Sequence, residues 1–180
     1  MLPAPVAALI RQSPDVPDPK SRELILMLLE ATPVPFSRQQ FTPGHITCTG
    51  IVLASDRERI LLIHHRRLNR WLLPGGHVEP EDLEIWDAAR REVIEETGAQ
   101  LAPDGAPSLA GLDVHGIPAG KGEPYHLHHD LLFHFRATSD DFRLSPESRD
   151  IAWCAPADFD RYAVPENVRV AYDRVRKSFS

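Results

Sequence analysis

A chain of 180 residues has the length of one ordinary domain with a terminal extension. Its 42% hydrophobic and 26% charged residues suit a buried core and exclude wholesale disorder. Twenty basic against 26 acidic side chains give a net charge of −6, which excludes the basic face that duplex nucleic acid asks for but leaves a polyanionic small substrate open, since a bound cation can supply charge locally.

In chain order, residues 1 to 19 are proline-rich with little periodicity and read as a loose or extended arm. SRELILMLLEA predicts a helix, capped by Ser21 and followed by Pro33. Leu24, Ile25, Met27, Leu28 and Leu29 give it a wide apolar face. Burial against the main domain is the simplest fate of that face, and a homodimer interface is the other. The main domain starts near Phe41, so residues 1–40 form an arm and helix and residues 41–180 the domain.

HITCTGIVLA, a turn at DRER and RILLIHH read as adjacent strands. The RRLNR loop leads to WLLPGG, and helical periodicity runs from about Leu83 to Gly98, a natural terminator. LAGLDVHGI is a strand. YHLHHDLLFHFRA alternates, with Leu127, Leu131, Phe133 and Phe135 on one face and His126, His128, Asp130 and His134 on the other. DIAWCA is a last strand, and Val168, Ala171, Tyr172, Val175 and Phe179 mark a closing amphipathic helix. Strands and helices without a regular βαβ rhythm favour a mixed sheet with helices on its faces. Cys48 and Cys154 lack any CxxC spacing, which suits a reducing cytoplasm, and no membrane span or secretory signal is legible.

The chemistry concentrates in GGHVEPEDLEIWDAARREVIEETG, residues 75 to 98. At 100° per residue, Glu96 lies about 40° and Glu95 about −60° from Glu92, with the small Ala88 a turn earlier. Three carboxylates on one face repel, and a divalent cation with oxygen ligands, Mg²⁺ or Mn²⁺, resolves the repulsion. A solvated helix rich in glutamate is the plainer alternative. Trp86, Ala89 and Val93 form an adjacent stripe suited to anchoring the helix on a sheet, and Arg91 stands four residues before Glu95, within pairing reach.

This segment resembles the Nudix box of pyrophosphate hydrolases, G-x5-E-x7-R-E-U-x-E-E-x-G-U with U a bulky aliphatic residue. Gly76 fits the first glycine, and Arg91, Glu92, Val93, Glu95, Glu96 and Gly98 fit the second half. Asp82 stands where glutamate is usual, eight residues rather than seven separate it from Arg91, and Ala99 fills the last aliphatic position. The resemblance runs from about Phe41 to Trp153. It implies an α/β/α sandwich of the α+β class around a mixed sheet, with a loop–helix–loop metal site and, here, an N-terminal helical extension. It further implies a hydrolase of a diphosphate linkage in a nucleotide-like substrate, with a catalytically silent nucleotide-binding or sensor module as the alternative. Glu92, Glu95 and Glu96 would bind Mg²⁺ (or Mn²⁺) with the Gly76 carbonyl, and Arg91 would hold a carboxylate in place. The general base of such enzymes comes from the box helix or a later loop, where Glu147 stands.

His126, His128 and Asp130 on one strand face could suggest zinc. A substrate-side or structural role is favoured for them, because the box already supplies a metal site; His128 and Asp130, with His77 of the box loop, are taken as substrate-binding candidates. His64 and His65 suit a solvated strand end. Trp71 and Tyr125 could stack on a base, though packing is the commoner use of such rings.

Overall fold

The computed structural model describes residues 1–120, 122–146 and 148–177. Glu147 and Phe179, both singled out above, lie outside the described residues.

The proline-rich start is a helix rather than an extended arm. α1 (Pro3–Arg11) has prolines in its first turn, where backbone N–H groups lack helical acceptors anyway, and it buries Val6, Ala7 and Ile10. α2 (Pro19–Ala31) is capped by Asp18, not Ser21. The Asp18 carboxylate accepts from the Ser21 backbone N–H at 3.0 Å and from its hydroxyl at 2.7 Å. Ser21 is thus the capped partner one turn in. α2 buries Ile25, Leu28 and Leu29, while Met27 stays 63% exposed. Arg22 ties the two helices by donating to the carbonyls of Ile10, Ser13 and Val16.

The sheet strands are β1 (Gly44–Leu53), β2 (Ile60–His65), β3 (Arg70–Leu72), β4 (Gly75–His77), β5 (Leu109–Ile117), β6 (His126–Arg136) and β7 (Ser148–Cys154). Among the described residues they make one seven-stranded mixed sheet in the order β3-β2-β1-β6-β5, with β4 also on β1 and β7 on β2. β1 runs parallel to β6 over its whole length, from Gly44 opposite Leu127 to Leu53 opposite Arg136. Its other edge takes β4 antiparallel, with Thr47 opposite His77 and Cys48 opposite Gly76. The glycine loop expected from sequence is therefore a short strand, although two glycines have little strand propensity of their own.

Alternation along β1 sorts its side chains onto two cores. Ile46, Cys48 and Val52 pack with α1, α2 and the box helix α3 (Ile85–Thr97). Ile51 and Leu53 pack on the other face with Phe159 and with Val168, Ala171, Tyr172 and Val175 of α4 (Glu166–Lys177). Helices thus cover both faces of a mixed sheet, and the fold is α+β.

Candidate active site

α3 is set before its charges matter. The Glu84 backbone N–H donates to the Asp87 carboxylate at 2.9 Å at its start, and Gly98 ends it with φ 63°. Ala89 and Val93 are fully buried against the sheet, and Trp86 packs partly buried beside them, as the stripe predicts. One face of α3 is thereby fixed on β1, which turns Glu92 and Glu96 toward β4.

Two backbone positions of β4 meet those carboxylates. The Gly75 N–H donates to Glu96 Oε2 at 2.9 Å, and Glu96 is only 7% exposed. A side chain at Gly76 would begin 2.6 Å from Glu92 Oε1, so only glycine leaves room for this carboxylate against the strand. Glu95 is different: its side chain is 60% exposed. The three carboxylates thus form a graded set, from buried Glu96 through Glu92 to the solvent-facing Glu95.

Arg91 is the organiser. Its Nη1 donates to Glu92 at 2.9 Å and to Glu95 at 3.4 Å, and its Nη2 to the His77 carbonyl at 2.8 Å. Its main partner is Asp82, which takes Nε at 3.2 Å and Nη2 at 3.1 Å. Asp82 also accepts from the Glu79 N–H at 2.8 Å, which closes the loop before the helix. The hydrogen bonds that Arg91 donates to Asp82 raise the proton affinity of the guanidinium further, so the cation is permanent. An open groove of about 450 Å³ runs past Glu81, Asp82, Leu83, Arg91 and Glu95. From sequence, Arg91 had Glu95 as its partner. The role of Asp82 was hidden because the pair is nine residues apart and depends on the loop path.

The far face of the same strands is rich in imidazoles. His45 on β1, His77 on β4 and His128 on β6 meet with ring centroids 4.9 to 5.3 Å apart. His126 lies 5.3 Å from His128, and His115 on β5 lies 5.6 Å from it. Burial first, then the neighbouring imidazoles, pushes His77 down to about 4 and His128 down to about 2, so both are neutral near pH 7. Asp130 is 7% exposed, and its two oxygens accept from the hydroxyls of Thr47 at 2.9 Å and Thr49 at 2.7 Å. Burial raises its pKa above the ordinary carboxyl value, and the two hydroxyls oppose that rise. The sequence brought His126, His128 and Asp130 together on one face. It did not bring in His45 and His77, which arrive by strand pairing alone.

Other expected residues fall elsewhere. Trp71 packs edge-on against Tyr162 at 4.8 Å, as a core-edge ring. Tyr125 is 63% exposed and covers Gly116. Cys48 and Cys154 are separate, buried thiols. No helix among the described residues is long and apolar enough to cross a membrane.

A glycine-backed strand meeting a helix whose glutamates are ordered by one arginine defines a Nudix-type site, and the NUDIX domain family model matches residues 44–175. The chain belongs to the Nudix family, as a pyrophosphohydrolase of that type. A Bacillus subtilis (strain 168) protein assigned as an 8-oxo-dGTP diphosphatase is 29% identical over 123 residues, covering 68% of this chain and 75% of the relative. An m7GpppN-mRNA hydrolase of Danio rerio is 32% identical over 85 residues, 44% of this chain; that segment spans only 28% of the relative's length. Among solved structures, the MutT protein of Methanosarcina mazei Go1 superposes with a TM-score of 0.58 at 20% identity, over 75% of this chain and 94% of that one. At that identity the likeness speaks for the fold.

Proposed function

We propose that the protein is a divalent-metal-dependent hydrolase, using Mg²⁺ or Mn²⁺, that cleaves the diphosphate linkage of a nucleotide-like small molecule. The observation that carries this reading is the convergence of Glu92 and Glu96 on the backbone of Gly75 and Gly76 under the control of Arg91. The donor set fits the ion: carboxylate oxygens in a cradle that any Cβ at position 76 would fill, beside a third, exposed carboxylate. Glu92, Glu95, Glu96 and the Gly76 carbonyl would hold it, and it would offset phosphate charge and acidify a bound water.

The chain's own residues do the rest. Arg91 keeps Glu92 from turning into solvent and leaves Glu95 loosely held, with Asp82 anchoring the guanidinium from behind. Glu96 is fixed by the Gly75 N–H. A carboxylate of this set, or Glu147, takes the proton of the attacking water. His77, His128 and Asp130 stand on the sheet face opposite the glutamates, so the contacts assigned to them are with a part of the substrate away from the diphosphate, where neutral imidazoles can donate hydrogen bonds without adding charge. The similarity to a protein assigned as an 8-oxo-dGTP diphosphatase makes purine nucleoside triphosphates the first substrate class to test.

The test is phosphate and pyrophosphate release from a panel of nucleoside triphosphates, nucleotide sugars and dinucleotides, with Mg²⁺ or Mn²⁺, for wild type and Glu96→Gln. Turnover that needs the metal and drops by roughly a thousandfold in the variant is expected. Metal-independent turnover, or equal rates in both proteins, would reject the reading. Tight nucleotide binding with no product would instead leave a binding module on the same fold.

A further inference from the structure

The imidazole face goes beyond that reading, because three of its rings form a ligand set of a different kind. His45, His77 and His128 each offer a ring nitrogen, and the three atoms lie within 4.8 Å of one another. They come from three neighbouring strands. His45 and His128 are direct partners in the parallel β1–β6 register, and His77 faces Thr47, two residues along β1 on the same side. Nitrogens around one tetrahedral Zn²⁺ stand about 3.3 Å apart, from metal–nitrogen bonds of about 2.0–2.1 Å. Side-chain rotations that shorten these separations by up to about 1.5 Å would therefore close the set.

A second observation singles out His45. Its Nδ1 lies 3.2 Å from the Gln40 carbonyl, which can only accept, so the ring proton sits on Nδ1. Nε2 then presents a bare lone pair. The residue is 1% exposed, and Nε2 has no hydrogen-bond partner. A buried lone pair of this kind is unfavourable unless something fills it. An imidazole held by a backbone carbonyl at one nitrogen, with the other nitrogen free, is the arrangement that orients histidine toward a metal.

We propose that His45, His77 and His128 form a second metal site, selective for a borderline transition-metal ion such as Zn²⁺ and separate from the carboxylate site on α3. Imidazole nitrogens favour Zn²⁺ over Mg²⁺, and the oxygen-only set of Glu92, Glu95 and Glu96 has the reverse preference. Within β4, Gly76 faces the glutamates and His77 the opposite side, so the two sites are back to back across one strand. Three protein nitrogens leave a fourth position open, which is the pattern of a site that can accept an outside ligand rather than a closed structural one.

The experiment is calorimetric titration of tag-free, full-length protein with Zn²⁺ in the presence of excess Mg²⁺, so that the carboxylates are already served. One equivalent of Zn²⁺ should bind. Its affinity should fall by on the order of a hundredfold in His77→Asn and in His128→Asn, with folding of each variant checked by circular dichroism. Glu96→Gln should bind Zn²⁺ as the wild type does. Co²⁺ in place of Zn²⁺ should give the strong visible bands of four-coordinate cobalt, lost in His128→Asn. No Zn²⁺ binding in excess Mg²⁺, or binding that follows Glu96→Gln and ignores both histidine variants, would overturn the proposal. Because no readout is turnover, failure here leaves the hydrolase reading standing, and failure of that reading leaves this one standing.

Discussion

Arg91 holds both oxygens of Asp82, at 3.2 Å from Nε and 3.1 Å from Nη2, and the Asp82 side chain is 4% exposed. Two departures from the family pattern meet in this pair. The acid is one methylene shorter than the usual glutamate, and the stretch between it and Arg91 is one residue longer. The shorter acid and the longer stretch occur together here, with the carboxylate on the guanidinium.

That combination predicts an unusual mutational result. Restoring the family residue with Asp82→Glu should reduce activity, because the added methylene overfills a site shaped for aspartate, at about 1–3 kcal/mol of stability. Asp82→Ala should cost more, on the order of 3 kcal/mol, since it leaves a half-buried cation without its main partner. Urea unfolding and metal-dependent turnover of both variants would check the order wild type above Glu above Ala.

Substitutions at the two glycines of β4 should separate chemistry from stability. A Cβ at position 76 meets the mobile end of Glu92, so Gly76→Ala should fold and lose turnover by roughly tenfold to a hundredfold. A Cβ at position 75 meets the Cys48 carbonyl at 2.7 Å, and backbone cannot give way cheaply. Gly75→Ala should therefore lower the melting temperature more than Gly76→Ala does.

Asp130 depends on two hydroxyls in a buried setting. Thr49→Val keeps the shape and removes the shorter of the two hydrogen bonds, leaving a carboxyl oxygen without this donor. The expected loss is about 1–3 kcal/mol of stability, read from denaturant midpoints at constant pH.

Acid should weaken the fold through His134. Burial pushes this imidazole down to about 4, from an ordinary value near 6.5. Below about pH 6.5 the unfolded chain takes up a proton that the folded chain declines. The stability is therefore whole above about pH 7 and is lost as pH falls toward 4, by on the order of 1–3 kcal/mol. His134→Gln should show a smaller drop between pH 7 and pH 4.5 than wild type in paired urea titrations; an equal drop would place the acid sensitivity elsewhere.

Local periodicity was enough to reveal much of this protein. β1, β2, β5, β6 and β7 follow from their apolar runs, and α3 from its stripe and Gly98, because these signals lie within one element. The Glu92, Glu95 and Glu96 set was legible for the same reason, since one helix turn brings carboxylates three and four residues apart together. α1 was missed because prolines break a helix only past its first turn, and their position relative to the cap is set by the chain around them. The strand character of Gly75–His77 comes from β1, not from its own residues.

What only the tertiary structure decided is which distant groups meet. The Asp82–Arg91 grip needs the path of one loop, and the threonines around Asp130 come from a strand more than eighty residues earlier. The triad of His45, His77 and His128 needs three strands in register. Strand order and register are set by long-range burial on two faces at once, and no window of sequence contains that information.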